Sequence, residues 1–158
     1  AGRPRGFHMV QDRLRDGTRI AQLVASELTG DRRSLARVAV VDADPDVEPT
    51  ADGAFAYRVI RVADPAAITV GDRGGTSVDE GADRTTLAEV FVQPDRARVE
   101  FVATPDAAAE SAADAALRVR PKAVEPPRTL VFVEDGAEAK RVVEAFTRAA
   151  DAVAAAAD

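Results

Sequence analysis

Ala97, Val99, Phe101 and Ala103 alternate with Arg98 and Glu100, and a matching run from Thr86 to Val92 precedes them across Gln93, Pro94, Asp95 and Arg96. Successive side chains of a strand point to opposite faces, so this run has one apolar face and one charged face. Proline is favoured at the second position of a type I turn, and the four-residue break joins the two runs as an antiparallel hairpin. Such a hairpin needs a core on one side and tolerates water on the other.

Further strands are expected on either side. Ser34–Asp42 is rich in valine, and Ala54–Ala63 alternates, with Phe55, Tyr57 and Val59 on one face and Arg58 on the other. A short strand is expected near Ala67–Val70, then a mobile loop over residues 71–84 with its four glycines. Leu117–Ala123 and Arg128–Glu134 complete the set, separated by Pro126 and Pro127. Pro121 lacks an N–H, which places the first of these two strands at or near a sheet edge.

Helical spacing appears in three places. Ile20, Leu23, Val24 and Leu28 recur in a helix expected from Asp16 or Thr18 to Leu28, with Gly30 as a left-handed residue after it. Thr104 reads as an N-cap with Pro105 at the first helical position, opening an alanine-rich helix to about Ala116. Asp135 with Glu138 resembles a capping box for a last helix that presents Ala139, Val142, Val143, Phe146, Ala150 and Val153 to the core. The expected fold is α+β: a mostly antiparallel sheet of five to six strands with three helices packed on one face, in one domain over residues 9–158. Ala1–His8 show no helical or strand period and read as a cloning scar.

Cysteine is absent and His8 is the one histidine. A scar origin for His8 would leave no triad, no Cys–His pair and no common zinc site, so the reading leans away from an enzyme and calls for no cofactor. No apolar run reaches the ~18 residues of a membrane span, so no membrane partner and a cytoplasmic location are expected. With Arg3 and Arg5 set aside, 19 Lys and Arg stand against 27 Asp and Glu. Small apolar residues dominate the core positions, and molar salt both strengthens burial and shortens the Debye length to about 3 Å. Together these features point to a protein adapted to high salt.

Residues 16–28 (DGTRIAQLVASEL), 41–49 (VDADPDVEP) and 120–128 (RPKAVEPPR) resemble a small protein family of halophilic archaea. The likeness spans nearly all of residues 9–158. It implies a single-domain organisation and a salt-rich cytoplasm, and because the family has no assigned activity it carries no catalytic residue to this chain.

Two groups of residues invite a ligand. Arg118, Arg120 and Lys122 fall on one face of a strand at roughly 6.6 Å intervals, with Arg128 across the turn, and form an anion-contact row suited to nucleic acid or another polyanion. Their alternative role is to pair with acidic neighbours on a solvated face. Asp42, Asp44, Asp46 and Glu48 alternate as hard-cation ligands do, yet Val47 and Gly53 occupy the places where a calcium loop needs glycine and glutamate. That segment reads more simply as a solvated acidic loop. Arg13, Arg15, Arg19, Arg32, Arg33 and Arg37 make residues 9–41 net basic in an acidic chain. Residues 71–77 lack the lysine and spacing of a phosphate loop. Three functions stay open: a non-enzymatic binding or regulatory domain for an anionic partner, a protein–protein module that oligomerises, and a small carboxylate/Mg²⁺ enzyme acting on phosphorylated substrates.

Overall fold

A computed structural model describes residues 16–72 and 75–157; the expected scar at residues 1–8 lies outside them. In chain order the elements are α1 (Gly17–Gly30), β1 (Val38–Val41), β2 (Ala54–Val62), a 3₁₀ turn (Pro65–Ala67), β3 (Ile68–Val70), β4 (Thr76–Val78), β5 (Arg84–Gln93), β6 (Arg96–Phe101), α2 (Pro105–Asp114), β7 (Arg118–Lys122), β8 (Arg128–Val133), α3 (Gly136–Arg141) and α4 (Val143–Ala157). The last two are one helical run interrupted at Val142, where the backbone tightens but Val142 N still bonds Glu138 O at 2.9 Å. Six strands form one antiparallel sheet in the order β1-β2-β5-β6-β8-β7, and β3 pairs with β4 in a small second sheet. The α+β expectation holds, with the β5–β6 hairpin at its centre.

One face of the large sheet packs against the helices. Val59, Val90, Val99, Phe101, Val131 and Val133 meet Ile20, Val24, Leu28, Val142 and Phe146, all at 0–1 % exposure. The Phe101 and Phe146 rings lie 4.9 Å apart and join β6 to α4. Full burial of such side chains contributes roughly 1.5–3 kcal/mol each. Tyr57 is buried here, its hydroxyl donating to Ala21 O at 2.7 Å, so its polar end is satisfied. Across β1 and β2 the opposite face carries Ala39, Ile60 and Val62, covered by Ile68 and Val78 of the β3–β4 hairpin. Thr76 Oγ1 accepts from Val40 N at 3.0 Å and donates to Val40 O at 2.7 Å. The outer edge of β1 is thereby closed.

Six local expectations are corrected. The strand expected from Ser34 begins only at Val38, because Asp31 accepts from Arg33 N and Ser34 N and folds residues 32–37 into turns. Residues 71–84 include a strand, β4, whose hairpin seals the second apolar cluster. Phe55 lies on the face opposite Tyr57 and Val59, because a β-bulge between Phe55 and Tyr57 reverses the alternation. Gly30 is the last helical residue and not a left-handed one. Thr104 makes no side-chain cap; it sits at φ 47° and donates instead to Ala149 O at 3.3 Å. The capping box is half formed: Asp135 accepts from Glu138 N, whereas Glu138 accepts from Glu134 N.

The N-terminus of α1 rests directly on the β5–β6 turn. Gly17 N bonds Pro94 O at 3.2 Å, and a Cβ at Gly17 would lie 1.8 Å from Gln93 O and 2.7 Å from Arg96 O. Only glycine allows this approach. Gly17→Ala is expected to destabilise the fold by about 3 kcal/mol through overpacking. Gly30→Ala, with nothing within 4 Å, is expected to be neutral or to stabilise by up to ~1 kcal/mol. Urea unfolding of the two variants checks the contrast.

Candidate functional site

The face of the large sheet turned away from the helices is charged. Cross-strand register aligns Arg58, Glu89, Glu100, Leu130 and Arg120 in one row, and Phe55, Phe91, Arg98, Phe132 and Arg118 in the next. Arg128 and Lys122 pair at one end of β8 and β7. Arg58, Arg96, Arg98, Arg118, Arg120, Lys122 and Arg128 thus share a face with Glu89, Glu100 and Glu134. Among the described residues seven cations meet these three glutamates and, through Arg58, Asp42, on a chain whose net charge is −6.

Glu100 is the centre of an ion cluster. It is 1 % exposed, and burial of a lone carboxylate at such a site would be prohibitive. Arg98 Nε lies 2.9 Å from one carboxylate oxygen, while Arg128 Nη1 at 3.0 Å and Lys122 Nζ at 3.4 Å share the other. Arg128 Nη1 also bonds Glu89 at 2.8 Å, and Arg58 holds the other oxygen of Glu89 at 3.0 Å. Burial pushes the Glu89 carboxyl up, but hydrogen bonds and charge from Arg128 and Arg58 outweigh this and hold it below its ordinary value. Arg58 also pairs with Asp42.

Three guanidinium groups lie against rings: Arg58 on Phe55 at 5.3 Å, Arg96 on Phe132 at 4.1 Å and Arg98 on Phe91 at 4.8 Å. Gly53, at φ 97°, closes over Arg98 so tightly that a Cβ would approach Nη1 to 2.8 Å. Arg98 is therefore enclosed, whereas Arg58 and Arg96 keep 33 % and 27 % of their side chains exposed.

The four cations of the expected anion row fall together but serve unequally. Arg118, Arg120 and Lys122 all point from the edge strand β7 to this face, as strand alternation requires, while Leu117 and Val119 turn to the core. Arg128 is built into the cluster, and Lys122 leans on Glu100. Arg118 is 65 % exposed and 3.8 Å from Glu134. Arg120 is exposed and forms no ion pair among the described residues. Arg58, Arg96 and Arg98 complete the face, and only the β2–β5–β6–β8 register brings them in. Parity along each strand was their one sequence signal.

The acidic loop is not brought to a point. Asp42 is taken by Arg58, Asp44 Oδ1 accepts from Asp46 N at 2.9 Å, and Glu48 is exposed. Among the described residues no three acidic or histidine side chains are grouped to hold a metal ion. The cations near α1 do not form a surface row either. Arg32 donates to Leu35 O and Val38 O, and Arg37 to Ala63 O, while Arg13 and Arg15 lie outside the described residues. Among the described residues no helix is long and apolar enough to cross a membrane.

Removing Glu100 leaves Arg98, Arg128 and Lys122 crowded without their counter-charge. Glu100→Ala is expected to cost about 3–5 kcal/mol, and Arg120→Ala under ~0.5 kcal/mol. Chemical denaturation of both variants measures the difference.

The model of a family of unknown function, DUF7993, matches residues 9–158. No curated protein and no solved structure matches the chain.

Proposed function

We propose that this chain, which belongs to the DUF7993 family of unknown function, is a non-enzymatic binding domain for an anionic partner, nucleic acid or a phosphate-bearing ligand, and works in a salt-rich cytoplasm. The observation that carries the reading is the excess of cations on the open sheet face, with Arg120 unpaired among the described residues and Arg118 only loosely paired. Exposed ion pairs contribute ~0–1 kcal/mol each, so stability gives little reason to collect free guanidinium groups on one edge of an acidic chain. Basic patches of this kind attract phosphate and steer association.

The alternatives draw less support. Arg128 and Arg58 hold the Glu89 carboxyl below its ordinary value, and both oxygens of Glu100 are occupied by Arg98, Arg128 and Lys122, which suits neither a general acid nor an open magnesium site. Edge-to-edge oligomerisation would bring Arg118, Arg120 and Lys122 of two copies together across Pro121, and like charges and proline both oppose strand pairing. Among the described residues Val70 and Val124 are the exposed large apolar side chains, 44 % and 42 %, and they form no patch of the size that marks an interface.

The double variant Arg118→Ser/Arg120→Ser spares the cluster around Glu100. It is expected to lose retention on immobilised polyphosphate while its stability falls by under ~2 kcal/mol. Retention equal to that of the unaltered protein would remove the reading. The measurement belongs at the lowest salt that keeps the protein folded, since added salt cancels counterion release.

Adaptation to salt is supported by the acid excess and the alanine- and valine-weighted core. Circular dichroism melts at about 0.1 M and 2 M KCl are expected to show the higher midpoint at 2 M. An equal or lower midpoint there would refute the adaptation.

A further inference from the structure

The next step rests on the anion-binding reading and names the class of partner. Along β8, Leu130 and Phe132 turn to the open face, and beside them β7 sets Arg118, Arg120 and Lys122 at ~6.6–6.8 Å repeats. The half-buried Leu130 and the buried Phe132 thus lie beside an evenly spaced cationic row.

Arg96 adds a planar element. Its guanidinium carbon lies 4.1 Å from the Phe132 ring centroid. Nε donates to Gln93 Oε1 at 2.8 Å and Nη1 to Glu134 Oε2 at 3.4 Å. Guanidinium hydrogen bonds run in the plane of the group, so these two fix its tilt and leave its faces unbonded. One face rests on Phe132, and the side chain as a whole keeps 27 % exposure. A flat, oriented cation of this kind stacks on nucleobases as aromatic rings do. Lysine, a compact ammonium, cannot replace it in that role.

We infer that the partner is a single-stranded nucleic acid, lying along β7 and β8 with a base stacked on Arg96 and its phosphates on Arg118, Arg120 and Lys122. A duplex keeps its base faces stacked on one another and would offer the sheet phosphates alone. An acidic peptide would engage the cations and leave the Arg96–Phe132 plate unused. Stacking on such a plate also survives salt better than phosphate contacts, whose affinity falls with counterion release.

Fluorescence anisotropy tests this with a labelled single strand of about twelve nucleotides. Competitors are the same sequence as a duplex, inorganic polyphosphate and polyglutamate of equal charge. The single strand is expected to bind at least about tenfold more tightly than each competitor. Arg96→Lys, which keeps the charge, is expected to weaken the single strand about tenfold and leave polyphosphate within about twofold. Equal affinity for the duplex, polyphosphate or polyglutamate overturns the inference, as does an Arg96→Lys variant of native stability that binds the single strand unchanged. If that variant unfolds, the competition with the unaltered protein decides alone. Polyphosphate binding without single-strand binding refutes the inference and spares the anion-binding reading; no binding to any probe removes both.

Discussion

Glu89 and Glu100 stand directly opposite each other across β5 and β6. Like charges at a cross-strand pair repel, and here one of the two is withdrawn from water as well. The sheet resolves this by drawing cations from four strands: Arg58 from β2, Arg98 from β6, Arg128 from β8 and Lys122 from β7. The pair therefore ties the order of the strands to the chemistry of the face. A register slip anywhere between β2 and β7 would both expose the apolar face and strand a buried carboxylate.

That cluster also decides which cations are available to a partner. Arg98 and Arg128 are committed to the glutamates, and Arg98 is further enclosed beneath Gly53. Moving outward to β7, carboxylate contact thins from Lys122 to Arg118 and, among the described residues, is missing at Arg120. The face thus grades from an internally satisfied centre to an unsatisfied rim. The two edges of the sheet differ in the same sense: Thr76 closes β1, whereas β7 stays open and carries charge. The proposed binding surface at the β7 side rests on this asymmetry and not on an apolar patch.

The opposite face supplies rigidity. Helix α1 is pinned at Gly17 to the β5–β6 turn, and Phe146 of α4 meets Phe101 of β6. The two sides of the central hairpin are thus loaded differently, close packing on one and ion pairing on the other. Burial on the helix side does not weaken with added salt, while exposed pairs on the open side do.

Much of this was legible in the chain itself. The alternation of Ala97 to Ala103, the proline turn at Pro94 and the edge position of Pro121 gave the hairpin, the sheet class and the place of β7, because strand period and the missing N–H act locally. The same parity put Arg118, Arg120 and Lys122 on one face. What the sequence could not give was anything that depends on register between distant segments. The bulge at Ala56 moved Phe55 to the charged face, and the meeting of Glu89 with Glu100 and Arg128 arises from pairing across residues far apart in sequence. Local pattern determines which side of a strand a residue occupies; only the assembled sheet decides which charges become neighbours, since electrostatic partnership is set by distance in space.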